Sequence, residues 1–384
     1  MTMGTGRGIG QDHLTIAEKL TLISWPFLLL LTAVAGVGFI SLYSAAGGSV
    51  EPWAGKQALR FGLGLCGLVV VALVDIRVWL KLAYPIYALC ILLLIYVDIK
   101  GHIGMGAQRW INLGFLQLQP SEIMKIASVL ALARFFHGST AEDVRNPLFL
   151  AYTLGIVMVP IAFVLVQPDL GTAITILMAA AAIFFLAGVS YRVFGLAIAG
   201  GLALLPIAWH FLHDYQKKRV LVFLDPESDP LGAGYHITQS KIALGSGGIT
   251  GKGFLHGSQS HLNFLPEKQT DFIFTLFTEE WGLVGGLSLM ALFAMIIAYG
   301  YFIALNCQSQ FARLLSMGVV VNFFIYIFIN MGMVMGLLPV VGVPLPMISY
   351  GGTAMLSVLF GFGLLMSAHV HRDVKFTRRG LDMA

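Results

Sequence analysis

Ten predominantly apolar stretches of about twenty residues decide what this chain can fold into. They fall near 22–44, 58–75, 79–98, 119–136, 148–167, 170–188, 192–211, 271–303, 312–336 and 350–370. A helix of about 20 residues matches the hydrocarbon thickness of a bilayer, roughly 30 Å. Of the 384 residues, 58% are hydrophobic and 11% charged, a balance that a water-soluble domain of this size cannot shield. In lipid every backbone polar group needs an internal partner, which leaves helices or closed barrels, and runs this long select helices. The expected fold is an all-α polytopic membrane protein with about ten transmembrane helices, a single membrane domain over 1–384.

The polar start to about Lys19 precedes an apolar run too long for a cleavable leader, so the first helix is expected to stay. An even number of spans puts both termini on one side. Arg7, Lys19, Arg77, Lys81, Arg134, Arg145, Arg192, Arg313, Arg372, Lys375, Arg378 and Arg379 then fall inside, against Lys56, Arg60, Lys100, Arg109 and Lys125 in the short outer loops. That bias predicts a cytoplasmic N-terminal segment (1–20) and a cytoplasmic tail (371–384). The net charge of +4 is scattered and gives no footprint for nucleic acid. Cys66, Cys90 and Cys307 lie far apart, without metal spacing, and read as packing residues.

Two outer segments, 99–120 and 212–270, are unusually long. Loops of that length usually carry function. The second keeps its apolar residues, and the spacing of Ile237, Ile242 and Leu244 predicts a short amphipathic helix over 235–244 at the outer interface. Residues 246–253 imitate a phosphate-binding loop. Ser246 stands at the first glycine position and Gly253 follows Lys252 where Ser or Thr is needed, so the match fails.

Charges at the edges of apolar runs are costly and mark candidate sites. Glu122 and Lys125, three residues apart, open the fourth run after Gln119-Pro120-Ser121, and Asp169 opens the sixth. An acid and a base from different helices at similar depth suggest an ion pair. It either ties helices together or also lines a cavity. Asp271 opens the eighth run, as a helix cap or as a functional carboxylate. The two roles pull its pKa in opposite directions, since a helix N-terminus lowers it and a dry cavity raises it. Gly282 with Gly286 and Gly332 with Gly336 form two GxxxG pairs, for packing within the bundle or against a partner's helix.

Four segments carry a family resemblance: GAQRWINLGFLQLQPSEIMKIA (106–127), QPDLGTA (167–173), GSGGITGKGFLHGSQSHLNFLPEKQTDFIF (245–274) and LPVVGVPLPMISYGGTAML (338–356). With them the chain resembles the SEDS family of bacterial shape, elongation, division and sporulation proteins, and its elongation branch more than its division branch. The resemblance implies a glycosyltransferase of the bacterial cytoplasmic membrane that joins lipid II units into glycan strands. It implies a catalytic aspartate at Asp271 and an intramembrane pair at Lys125 and Asp169. It also implies a class B penicillin-binding protein as partner, met through the eighth and ninth helices and the 212–270 loop.

In that reading Asp271 is the general base. Arg109 and Lys125, then Lys241 and Lys252, are the cations for the leaving pyrophosphate. Glu122, Asp169, Glu267, Ser349 and Tyr350 complete the expected cavity. No Asp-rich metal motif appears, so no cofactor is assigned and a divalent cation is left open. The competing function is a lipid II flippase, which predicts inverted repeats and helices broken at the bilayer midplane. A scaffold that only recruits the transpeptidase would leave Lys125, Asp169 and Asp271 without a purpose.

Overall fold

The computed structural model describes residues 15–104, 107–112, 114, 117–211, 214–229, 232–261 and 267–374. The expectations for 1–14 and 375–384, and for parts of the 99–120 and 212–270 segments, lie outside them. Every one of the ten apolar runs is a helix. They are α2 (Trp25–Ala45), α3 (Ala54–Leu73), α4 (Ile76–Lys100), α5 (Pro120–His137), α6 (Pro147–Val166), α7 (Leu170–Leu186), α8 (Tyr191–Phe211), α12 (Ile273–Asn306), α13 (Gln310–Val334) and α14 (Gly352–Val370). A short helix α1 (Ile16–Leu22) precedes them. The 212–270 segment supplies α9 (Asp214–Leu224), α10 (Ala233–Ser246) and α11 (Ser258–His261). The segment after α4 forms a small antiparallel sheet of β1 (His102–Gly104), β2 (Ala107–Asn112) and β3 (Gln117–Leu118).

Among the described residues seven helices are long and apolar enough to cross a membrane: α2, α3, α4, α6, α12, α13 and α14. α7 and the apolar part of α8 are shorter, and α5 is an 18-residue helix that carries Glu122, Lys125 and Arg134. Local chemistry sets the ends. Pro120 and Pro147 start α5 and α6, where a missing N–H costs nothing. Asp169 and Ser309 cap α7 and α13 through the amides of Thr172 and Ala312.

Burial separates centre from periphery. The apolar window of α13 is 83% buried and that of α14 78%, against 22% for α4. α13 packs on α5, α7, α12 and α14, so it runs through the middle of the bundle. α5 is buried along most of its length.

Two departures from plain helices shape one end of the bundle. α12 is broken at Gly282, which has φ 66°. Residues 283–306 alone measure about 36 Å at 1.5 Å per residue, enough to cross. The break therefore sits at the edge of the span and not at its middle. Residues 273–280 before it are all buried, and Trp281 beside the break is exposed. The glycine-rich stretch 247–253 docks on the break, with Gly248 O and Ile249 O accepting from Leu283 N and Val284 N at 2.9 and 3.1 Å. Gly253 N donates in turn to Glu280 O at 3.0 Å. A side chain on Gly251 or Gly282 would drive its Cβ into backbone of the opposing segment. Close backbone approach, not phosphate binding, explains these glycines.

The second departure is the irregular segment between α13 and α14. Met347 and Ile348 are buried, and a Cβ on Gly38 would lie 2.6 Å from Met347 O. Gly38 sits seven residues before the end of α2, about 10 Å along the helix. The segment is re-entrant, and its backbone is tolerated at that depth because protein encloses it.

The glycine pairs face inward. Gly286 lies against Thr278, Gly332 against Leu338, and Gly336 under the Lys241 side chain. The helix expected over 235–244 is α10, which buries Ile237, Ser240 and Ala243, while Ile242 is exposed. Ser240 shares a hydrogen bond with Thr275 Oγ1 at 2.8 Å and donates to Val334 O at 2.9 Å, so α10 is held by protein on α12 and α13.

Candidate active site

Asp271 sits in a turn over 267–272, closed by Thr270 N and Phe272 N, which donate to Glu267 O at 3.1 and 3.2 Å. The N-cap of α12 is Phe272, and no side chain caps that helix. The carboxylate is therefore free of the capping role that the sequence left open. Its turn is held from two sides. Ser349 Oγ donates to Thr270 O at 2.6 Å and Tyr350 N to Gln269 O at 2.8 Å, both from the re-entrant segment. Asn330 Nδ2, from α13, donates to Asp271 O at 3.0 Å. Asp271 Oδ2 faces Gly342, 3.7 Å from where a Cβ would stand.

Asp271 is half-buried, with most of its surroundings filled by protein. Burial pushes its pKa from the ordinary 3.8 up to about 6. Glu267 in the same turn adds to the rise, and Arg219 of α9 opposes it. The opposing tendencies read from the sequence resolve in favour of burial. A carboxylate with a pKa near neutrality suits a general base.

The other expected residues divide into three groups. Lys125 Nζ donates to Glu122 Oε1 at 2.7 Å, and both side chains are almost fully buried. Tyr326 of α13 completes this group, its hydroxyl donating to Glu122 Oε2 at 2.5 Å and its ring centroid 4.1 Å from Lys125 Nζ. Asp169 has other partners. Its Oδ2 accepts from Gln119 Nε2 at 3.1 Å and Thr172 Oγ1 at 2.9 Å, and its cation is Arg109, at 3.9 Å. Among the described residues no ion pair joins Lys125 to Asp169, which corrects the expected pairing. The reason is local. Glu122 is one helical turn from Lys125 on the same helix, and Asp169 is engaged as the cap of α7. Arg109 is further fixed by Nε on Gln167 O at 2.8 Å and Nη2 on Pro168 O at 2.5 Å.

Lys252 does not stand as an open cation. Its Nζ donates to Glu279 Oε1 at 2.7 Å, and Gln259 N donates to the same oxygen at 2.9 Å, which pins the 252–259 stretch to α12. Ser44 Oγ donates to Glu280 at short range, tying α12 to α2. Lys241 lies exposed across Gly336. Tyr350 faces Arg60 of α3, whose guanidinium carbon lies 5.1 Å from the ring centroid. Glu267 accepts from Thr270 Oγ1 at 3.0 Å. No cluster of three His, Cys, Asp or Glu suited to a metal occurs among the described residues.

These groups share one end of the bundle. Val341 O would meet a Cβ on Gly171 at 2.8 Å, while the next residue, Gly342, faces Asp271. The re-entrant segment thus runs from the cap of α7, beside Asp169, to the turn that carries Asp271. Sequence reasoning missed Tyr326, Asn330, Glu279 and Arg60. The first two had a readable signal, since a phenol and an amide inside an apolar run need partners.

The family described as "Cell cycle protein", the FtsW, RodA and SpoVE group, matches residues 22–374. The chain is 48% identical over 350 residues to the peptidoglycan glycosyltransferase MrdB of Escherichia coli K12, covering 90% of this chain and 93% of that protein. It is 30% identical to the peptidoglycan glycosyltransferase RodA of Treponema pallidum, over 90% and 98% of the two chains. Among solved structures, a chain of a peptidoglycan synthase complex that coordinates polymerization and crosslinking superposes with a TM-score of 0.79 at 31% identity. That match covers 91% of this chain and 98% of the other. The rod shape determining protein RodA of Thermus thermophilus superposes with a TM-score of 0.69 at 26% identity, covering 92% and 98%.

Proposed function

The chain belongs to the SEDS family of cell cycle proteins, and on that premise we propose that it polymerises lipid II at the outer face of the bacterial cytoplasmic membrane during elongation. It is a peptidoglycan glycosyltransferase, the activity borne by its relatives of the elongation type. We take the ten helices as spans, which leaves both termini in the cytoplasm and the Asp271 end of the bundle outside.

Asp271 is the general base. It takes the proton from the 4-hydroxyl of the acceptor sugar as that oxygen attacks the anomeric carbon of the donor. The bond to undecaprenyl pyrophosphate breaks on the opposite face, so the configuration inverts. A positioned base contributes roughly 10²–10⁴ in rate. Placement of two lipid-held substrates and stabilisation of the pyrophosphate supply the rest. Lys125, Lys252 and Arg109 already hold carboxylates, and Lys241 is the cation that we assign to the leaving group. Glu122 and Asp169 keep those surroundings in place. The partner is a class B penicillin-binding protein, in line with the synthase complex that the chain superposes on. The inward-facing glycines lend that contact no support, so we assign it to the exposed apolar face of α12, which includes Leu283, Leu287 and Met290, and to the segment before α12.

One observation carries this reading. The Asp271 carboxylate is excluded from capping and pushed by burial to about 6. A flippase is not favoured, because the break in α12 lies at the edge of its span. The deciding experiment supplies lipid II to the purified chain, alone and with its partner. Glycan strands that disappear in Asp271→Ala support the polymerase. Transfer of labelled lipid II across vesicles without any polymer would sink it.

A further inference from the structure

α13 presents a polar face inside the bundle. Asn322, Tyr326 and Asn330 recur at four-residue spacing, and each is at most 2% exposed. Tyr326 anchors this face to α5 through Glu122 and Lys125. One turn further on, Asn330 Nδ2 makes two bonds, to Asp271 O at 3.0 Å and to Val343 O at 2.8 Å. Those carbonyls belong to the two irregular segments that flank the carboxylate, the 267–272 turn and the re-entrant loop. Ser349 joins the same two segments to each other. Asn330 joins both to a membrane helix.

The arrangement is expensive to keep. Asn330 Oδ1 is buried with no hydrogen-bond partner among the described residues, a defect that weakens a fold. An apolar side chain would avoid it but would take this donor from Asp271 O and Val343 O, so the tie between the two segments is what the amide secures.

We propose that Asn330 is a positioning residue for the transferase reaction, holding the Asp271 backbone and the Gly342 loop at a fixed separation so that the carboxylate meets the acceptor hydroxyl. This rests on Asp271 as the base. Asn330 does not touch the sugar. It acts by fixing where the base stands, and a misplacement of about 1 Å is enough to cost about 10²-fold in rate. The charged groups that act on Asp271 are Glu267 in its own turn and Arg219 on α9, and Lys268 lies in the same turn. The re-entrant loop (339–351) and the α13 face carry no charge. The acid limb of the rate profile therefore reports on the local setting of Asp271.

The test uses the full chain with its transpeptidase partner and lipid II. It compares wild type, Asn330→Leu, Asn330→Gln, Asn330→Ser and Asp271→Asn, each scored per folded molecule after gel filtration and thermal melting. Asn330→Leu is expected to lower kcat by 10- to 100-fold with KM changed less than threefold. Its acid limb should move from near 6 toward the ordinary carboxylate range as water reaches the loosened turn. Asn330→Gln, which keeps the donor, should recover part of the rate. Where Leu does not fold, the smaller Asn330→Ser takes its place. A purely structural role would lower the melting temperature and leave the rate per folded molecule and the acid limb unchanged. That result, with Asp271→Asn inactive, overturns the inference and leaves the base assignment standing. An active Asp271→Asn overturns the base assignment itself.

Discussion

Replacing Asp271 by Asn should stabilise this protein at neutral pH while destroying its activity. The carboxylate has a folded pKa of about 6 against an ordinary 3.8, because burial penalises its charged form. The gap of about 2 pH units corresponds to about 3 kcal/mol at 1.36 kcal/mol per unit. Asp271 is only half-buried, and solvent screening reduces this to about 1–2 kcal/mol. The sign follows from proton linkage. Between pH 4 and 6 the folded state binds more protons than the unfolded state, so stability falls as pH rises through that window. Above it the charged carboxylate burdens the fold by a constant amount. Asn, neutral and isosteric, removes that burden. In detergent the apparent melting temperature of Asp271→Asn at pH 7.5 should exceed wild type by roughly 1–3 °C, and the difference should vanish below pH 4. Polymerisation of lipid II should fall by about 10²–10⁴. A variant that melts below wild type at pH 7.5 would refute the desolvation argument.

Other perturbations separate the remaining parts of the site. In wild type the polymerisation rate should fall as pH drops through about 6, because the base must be deprotonated, and a flat profile from pH 5 to 8 would contradict this. Glu122→Gln leaves Lys125 buried without its carboxylate and should cost about 3–5 kcal/mol, read as loss of folded protein, whereas Glu122→Gln with Lys125→Met should recover most of it. Gly282→Ala forces a side chain at φ 66° into the backbone of Gly251 and should reduce folded yield sharply, measured by monodisperse recovery. Lys252→Met should loosen the 252–259 stretch from Glu279, seen as faster proteolysis of that segment with α13 and α14 still protected.

The helices were legible in the sequence because lipid imposes one strong rule. A segment in hydrocarbon satisfies its own backbone, so apolar length alone reveals a span, and each of the ten runs is a helix. Candidate charges were legible for the same reason, since Glu122, Lys125, Asp169 and Asp271 interrupt those runs where charge is costly. Their partners were not legible. Lys125 turned to Glu122 and Tyr326, and Asp169 to Arg109, because pairing depends on which helix faces which. The break at Gly282 and the re-entrant loop were hidden too. Glycine permits a break without requiring one, and whether a loop can enter at membrane depth depends on the protein that encloses it.

By itself, then, the sequence determined a helical membrane protein of a recognisable family with a carboxylate at the start of its eighth apolar run. Only the tertiary structure decided where that carboxylate stands and what surrounds it. Asp271 stands outside the helix cap, held by Asn330 and Ser349 from elements more than fifty residues away, in surroundings that raise its pKa. A helix N-terminus is a local feature and can be read from neighbours in the chain. Desolvation is the sum of everything that packs around a group, and those neighbours meet only when the bundle closes.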